Sequence, residues 1–196
     1  MLQNFRIGII AAGSSSWLDG VTMVELLVRA MTSLPLSDRP RIFLIFFGQS
    51  AADFSLYQSF IQFFDGIIVY GNTPPTHDSC LPSSYILCNS ETDLAKLVDV
   101  CLPMVSEVLN TLPTIRWISD IKHHVPPLDR FETKPVTIMF TSSLVARDYY
   151  QMYPNLPFNS KVISIAILPP EEWYEGNPRE IQEKYQLPQQ FVYCGY

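Results

Sequence analysis

The residues best suited to chemistry lie in one stretch, WISDIKHHVPP, which runs from Trp117 to Pro127. Asp120, Lys122, His123 and His124 follow an apolar, strand-like run and stop at two prolines. An imidazole can hydrogen-bond a hydroxyl group and titrates near neutrality. One interpretation is therefore a catalytic or substrate-binding role for at least one histidine, and the other is a solvated polar loop.

A metal site is a further interpretation of the same stretch. Adjacent residues in an extended chain point in different directions, and Pro126 and Pro127 prevent the helix that would align Asp120 with His124. We therefore expect no metal ligands here. Bound metal at Asp120 and His123 would instead indicate a metal-dependent hydrolase.

Two other loops could line a site. The small-residue turn AGSSSWLDGV, which ends at Val21, leads into a helix whose free N–H groups would favour an anionic phosphate. It lacks a GxGxxG motif and a P-loop lysine, so an ordinary strand-to-helix loop is equally open, and SSS is not a nucleophile elbow. In FTSSLVARDYY, Ser142 or Ser143 is expected to cap a helix that carries Arg147 and Asp148.

The elements that would position these loops follow from short apolar runs rich in Ile, Val and Phe. Such runs occupy residues 6–13, 41–48, 66–71, 114–120, 136–143 and 161–168. Their continuous apolarity is typical of strands covered on both faces. Helical patterns lie between them, one with Val21, Val24 and Val28 on one face and Asp19 at its start. The pattern predicts an α/β fold, a doubly wound, mostly parallel sheet with helices on both faces.

The stretch 91–110 predicts a second helix. Ser90 and Asp93 can form a capping box, Pro103 should kink the helix, and Cys101 falls on its apolar stripe. Further along, Asn177, Pro178 and Glu180 open a short helix.

Composition limits the partners and the compartment. The net charge of −6 provides no basic field for phosphate backbones, so nucleic acid is not an expected partner. The four cysteines form no CxxC pair, which favours a reducing, cytoplasmic compartment. RIGII is interpreted as a buried strand in preference to a secretory signal. No stretch approaches the roughly 20 apolar residues that span a bilayer, although peripheral membrane contact stays open.

Three segments resemble those of retaining glycosyltransferases with two Rossmann-like domains, the group 1 enzymes of GT-B fold. WISDIKHH is similar to their W-P-D-x-x-H loop, with matches at Trp117, Asp120 and His123 and with Ser119 where proline is frequent. SSLVARDYY resembles a serine at a strand end followed by a helix bearing an aspartate. YQLPQQFVYCGY resembles the linker into the first strand of the second domain.

The resemblance implies roles for three residues. His123 would lie beside the reacting sugar, and Asp120 would orient the loop. Gly20 would belong to the turn that approaches the donor phosphates, although Asp19 stands where a second glycine is often found and adds bulk and negative charge. No cofactor is implied, because the nucleotide-sugar is the donor substrate.

The resemblance also implies a domain organisation. Residues 1–168 would form a Rossmann-like acceptor-side domain, residues 169–190 an interdomain linker, and residues 191–196 the start of a truncated second domain. We expect residues 191–196 not to form an interior strand of the first sheet.

The resulting hypothesis is the N-terminal domain of a glycosyltransferase that moves a sugar from a nucleotide-sugar donor to a glycan or lipid acceptor. It is expected to be inactive alone, because the basic residues and paired glutamates that hold the donor belong to the second domain in such enzymes. The alternative hypothesis is a non-catalytic, doubly wound ligand-binding module.

Overall fold

The computed structural model describes residues 4–14, 18–47, 51–71, 84–102, 109, 111–118, 136–154, 158–163, 177–186 and 188. The elements, in chain order, are β1 (Arg6–Ile10), α1 (Leu18–Thr32), β2 (Arg41–Phe47), a 3-10 segment (Ala51–Phe63), β3 (Gly66–Tyr70), β4 (Ile86–Cys88), α2 (Glu91–Leu97), β5 (Val100–Leu102), β6 (Ile115–Ile118), β7 (Val136–Phe140), α3 (Ser143–Met152), β8 (Phe158–Val162) and α4 (Pro178–Tyr185). The chain divides into two compact units, Met1–Ala166 and Ile167–Tyr196.

The first unit contains two parallel sheets. The larger has the strand order β4-β3-β2-β1-β5 and the smaller the order β6-β7-β8, and every strand pair is parallel. A single parallel bridge between Cys101 and Thr114, with a hydrogen bond from the Cys101 N–H to the Pro113 carbonyl at 3.0 Å, connects β5 to β6. The chain order reverses at β1, which has β2 on one side and β5 on the other.

Both faces of the larger sheet are covered, because successive side chains of β2 pack alternately into two different clusters. Ile42, Leu44 and Phe46 pack in one cluster with α1 and the 3-10 segment, whereas Phe43 and Ile45 pack in another cluster with α2. A strand that is buried on both faces has no polar face, which explains the unbroken apolar run RIFLIFF. The prediction of a doubly wound, mostly parallel α/β fold is confirmed.

The 3-10 segment is long for its type and was not predicted. Its buried residues Phe54, Tyr57 and Phe60 recur at intervals of three, and Phe63 continues the series half-buried. A 3-10 helix has three residues per turn, so side chains at this interval stack on one face. The Phe54 and Tyr57 rings pack edge to face with Phe46 at centroid distances of 5.6 and 5.4 Å. The Tyr57 and Phe60 rings are tilted at 59° to each other, with centroids 5.6 Å apart.

The predicted helix over 91–110 is wrong for the residues from Val98 to Leu102, and Pro103, with its predicted kink, lies outside the described residues. The Ser90 cap of the predicted capping box is present, since the Ser90 hydroxyl accepts from the Asp93 N–H at 3.1 Å and donates to Asp93 Oδ2 at 2.7 Å. The helix ends at Leu97, and Val98 is extended. Val100, Cys101 and Leu102 then form β5. The stripe was misinterpreted because a buried strand is apolar at every position and so also matches a helical period.

An ion pair ties β1 to the residue before β5. The Arg6 Nη2 lies 2.7 Å from Asp99 Oδ1, and the Arg6 backbone N–H and Nε donate to Asp99 Oδ2 at 2.8 and 3.2 Å. A hydrogen bond from the Asp99 N–H to the Arg6 carbonyl at 2.8 Å completes the connection. These contacts fix the register in which β5 joins β1.

In the second unit, α4 begins as predicted. The Asn177 side chain accepts from the Arg179 N–H at 3.1 Å, and Pro178 occupies the first helical turn. The linker assignment of 169–190 and the second-domain assignment of 191–196 stay predictions. Residues 191–196 lie outside the described residues.

Candidate functional site

The turn after β1 is held from two sides. The Ala11 N–H donates to the Ile45 carbonyl at 2.8 Å, which extends the sheet ladder past the end of β1. The hydroxyl of the fully buried Tyr57 donates to the Ala12 carbonyl, also at 2.8 Å. Gly13 then has a φ of 106°, a left-handed conformation that glycine adopts without strain. The turn is therefore a fixed feature of the fold up to Gly13.

Gly20 lies in the first turn of α1 and packs directly on this turn. A Cβ at Gly20 would be 2.8 Å from the Ala12 carbonyl carbon and from the Gly13 N and Cα atoms. These are backbone atoms, so they cannot rotate away as a flexible side chain could. The absence of a side chain at Gly20 is what lets α1 approach the end of β1.

Gly20 therefore has a packing role in addition to its predicted role near the donor phosphates. Close helix-to-strand packing is the role of one glycine in dinucleotide-binding turns, and it is compatible with an anion nearby but does not require one. Asp19 lies exposed in the first turn of α1, where it is the second helical residue and so does not occupy the cap position. Residues 15–17 lie outside the described residues, and phosphate binding by the Gly20 region stays a prediction.

The loop that carries Asp120, His123 and His124 begins after β6. The described chain ends there at Ile118, so all three side chains lie outside the described residues and their roles stay predictions. Trp117 is buried in β6 and is part of the core.

Strand topology relates the starts of the two loops. All strands of the first unit are parallel, so the turn after β1 and the loop after β6 leave from the carboxyl ends of their strands. Only β5 lies between β1 and β6, and neighbouring strands are spaced about 4.8 Å apart, so the two starts are roughly 10 Å apart. In open parallel sheets, this edge next to a reversal of strand order is where ligands bind.

The start of α3 resolves an alternative that the sequence left open. The Ser142 hydroxyl accepts from the Val145 N–H at 3.2 Å, so Ser142 is the cap and Ser143 is the first helical residue. Arg147 pairs with its neighbour Asp148 at 3.0 Å, and both side chains are largely exposed. The capping role is confirmed, and this pair is directed to solvent.

Arg116 is a buried cation that the sequence reasoning missed. It lies in β6, two residues before Ile118, and is 5% exposed. Burial lowers the pKa of Arg116 and raises the pKa of Tyr149 on α3 to about 12. The electrostatic attraction between the two groups opposes both shifts, because it favours the charged form of each. The signal was a single arginine inside the apolar run TIRWIS. Its position couples the end of β6, where the candidate loop begins, to α3.

No group of three or more histidine, cysteine, aspartate or glutamate side chains in the described ranges could hold a metal ion. Within the same ranges, no helix combines the length and apolarity needed to cross a membrane.

Comparison of the chain with protein-family models, with curated proteins and with solved structures finds no match.

Proposed function

We propose that this chain is the acceptor-side domain of an enzyme that transfers a sugar from a nucleotide-sugar to a glycan or lipid acceptor. The observation that carries the proposal is the doubly wound parallel sheet together with two loops at the carboxyl ends of its strands. One is the glycine-bearing turn after β1, and the other is the WISDIKHH loop after β6. A doubly wound sheet alone supports many functions. The occurrence of the WISDIKHH motif on a doubly wound sheet is what favours glycosyl transfer.

The chemistry assigns distinct tasks to the loop residues. Glycosyl transfer develops positive charge on the sugar ring and negative charge on the leaving phosphate, so it needs polar groups fixed around both. In our proposal His123 contacts the transferred sugar and Asp120 orients the loop. The buried part of β6 supports this assignment, because Trp117 and Arg116 anchor the strand on which the loop is mounted.

The turn after β1 would face the donor phosphates. Its support is the backbone of Ala12 and Gly13, which is held by Tyr57 and packed by Gly20. A preorganised turn loses little freedom when it binds a ligand. The exposed Asp19 opposes a phosphate nearby, so the proposed contact is to backbone N–H groups in this region and leaves the Asp19 carboxylate in solvent.

Donor binding is assigned mainly to a second domain, of which residues 191–196 would be the beginning. The acceptor is a glycan or a lipid, and the proposed compartment is the cytoplasm, with peripheral contact to a membrane if the acceptor is a lipid. No resident cofactor is needed.

Two measurements test this proposal. Calorimetry of the 196-residue chain with uridine, guanosine and adenosine diphosphate sugars should show no tight binding, whereas the product of the whole gene should turn over one of them. Micromolar binding by the 196-residue chain would mean that it carries a donor site of its own. Binding of a small ligand without any turnover by the gene product would favour the alternative, a non-catalytic doubly wound module.

A further inference from the structure

A cleft of about 450 Å³ opens at the amino ends of the strands, opposite the strand ends that carry the turn after β1. Its walls come from the last turn of α1, the start of β2 and the end of the 3-10 segment. The volume lies within the range of about 300–1,000 Å³ that small-molecule sites occupy. The cleft takes no part in the proposed transfer reaction, so its role is a separate question.

Arg39 brings an uncompensated positive charge to this cleft. Its Nη2 donates to the carbonyls of Thr32 and, at 3.3 Å, of Leu34, which are neutral acceptors. No carboxylate of the described residues lies within ion-pair distance of Arg39. The other arginine of the cleft differs, because Arg29 pairs with Glu25 at 2.8 Å.

The remaining walls are aromatic or already satisfied. Phe63 and Phe64 line the cleft, and the Arg29 guanidinium lies over the Phe63 ring at 4.8 Å. The one carboxylate in the lining, Asp65, accepts from the Ile42 N–H at 2.7 Å through Oδ2, and its Oδ1 lies 4.0 Å from Arg41 Nε, whose positive charge faces it. The cleft therefore offers a cation beside an apolar surface.

We propose that this cleft binds a small organic carboxylate with an apolar or aromatic body. The carboxylate would lie against the Arg39 guanidinium, and the body would lie against Phe63 and Phe64. Guanidinium and carboxylate form charge-assisted hydrogen bonds, and burying the body against the rings adds the hydrophobic contribution. Inorganic phosphate shares the charge but not the apolar contact.

A titration followed by amide NMR of the 196-residue chain tests the proposal with three probes. Benzoate should bind with a dissociation constant on the order of millimolar, as expected for so small a ligand, and shift the amides of Ser33, Ile42 and Asp65. Benzamide, which has the ring without the charge, and inorganic phosphate, which has the charge without the ring, should bind at least about tenfold more weakly.

A matched pair of variants locates the site. Gln62 lines the cleft, so Gln62→Glu places a second carboxylate there without removing the Arg39 bonds to the Thr32 and Leu34 carbonyls, and benzoate should bind at least about tenfold more weakly. Gln58→Glu makes the same charge change at an exposed position of the 3-10 segment outside the cleft and should bind as the parent does. The melting temperature checks that both variants fold.

Three results would overturn the proposal. One is the lack of a saturable benzoate response in the parent chain. Another is equal binding of benzoate by the parent and by Gln62→Glu. The third is binding of benzamide or phosphate as tight as that of benzoate, which would remove the need for the charge or for the apolar body.

Discussion

The buried hydroxyl of Tyr57 donates a hydrogen bond to the carbonyl of Ala12 at 2.8 Å, across 45 positions of the sequence. This bond joins the 3-10 segment to the turn after β1. The carbonyl follows the end of β1, where the sheet ladder stops, so the hydroxyl supplies a partner that the ladder no longer provides.

Tyr57→Phe should therefore destabilise the protein by about 1–2 kcal/mol, because it leaves the buried Ala12 carbonyl without this donor while keeping the ring in place. Urea unfolding followed by circular dichroism measures the change. Tyr185→Phe, at an exposed position of α4, is the control and should change the free energy of unfolding by less than about 0.5 kcal/mol. Equal stabilities of the two variants would show that the Tyr57 bond contributes nothing.

Gly20→Ala should destabilise the protein by about 1–3 kcal/mol, although alanine is the better helix former. The added Cβ would be 2.8 Å from backbone atoms of Ala12 and Gly13, so α1 must move away from the turn. Thermal and urea unfolding measure the effect. Thr22→Ala, an exposed position on the same helix, should be close to neutral. A Gly20→Ala protein as stable as the parent would contradict the packing role of this glycine.

The ion pair between Arg6 and Asp99 should make the protein less stable at acidic pH. Hydrogen bonds from Arg6 lower the pKa of Asp99 below its ordinary value, so the folded state holds the carboxylate more strongly than the unfolded chain does. This contribution is fully present above the unfolded carboxyl pKa of about 4 and is lost as the pH falls through the lower pKa of the folded state.

Asp99→Asn tests the direction of this pH dependence. It should lower the free energy of unfolding at pH 7 by about 1–2 kcal/mol and flatten the decline of stability below about pH 4. Urea midpoints from pH 2 to pH 7 provide the measurement. Asp38→Asn at an exposed turn position should keep the acid slope of the parent. An unchanged slope in Asp99→Asn would assign acid sensitivity to other carboxylates.

Ser142→Ala should cost about 1 kcal/mol, because the Val145 N–H loses its side-chain acceptor at the start of α3. The adjacent Ser143→Ala lies inside the helix and should have little effect or stabilise slightly. Chemical denaturation of the two variants measures both costs. A larger cost for Ser143→Ala than for Ser142→Ala would contradict the assignment of Ser142 as the cap.

For the proposed transfer reaction, His123→Ala in the product of the whole gene should reduce turnover by about 10²–10⁴-fold, by analogy with the loss of a general acid–base or polar contact. His124→Ala should reduce turnover much less, since the motif match falls on His123. Initial rates with the donor identified by calorimetry provide the measurement, and melting temperatures exclude misfolding. Equal rates for His123→Ala and the parent would remove the assignment of His123.

The strands β1, β2 and β3 were predictable because two-sided burial makes each of them a continuous apolar run. β8 (FNSKV) is largely polar, and only its last two residues, Lys161 and Val162, fall in the predicted apolar run 161–168. The stretches RIGII, RIFLIFF and GIIVY needed no further information. The same property hid β5, whose apolar residues continue those of α2 and resemble a helical stripe until pairing with β1 decides the conformation. The 3-10 segment was not predicted because its buried aromatic residues recur at intervals of three, which matches neither the period of an α-helix nor that of a strand.

The candidate site was less predictable than the fold. The sequence indicated the turn before Gly20, but the close approach to Ala12 and Gly13 depends on the angle at which α1 meets the sheet. The donor for the Ala12 carbonyl comes from Tyr57, and local sequence carries no signal for that pairing. The loop with Asp120 and His123 was proposed from its motif, and the described structure reaches only its start.

The pairing of β1 with β5 has a consequence for folding during synthesis. Ile7 pairs with Val100, so one edge of β1 has no partner until more than ninety further residues have been made. At about 5–20 residues per second, this interval lasts roughly 5–20 s, during which an apolar strand edge is open to pairing with other chains. Chaperone dependence of expression should therefore be greatest for nascent chains that stop between β1 and β5.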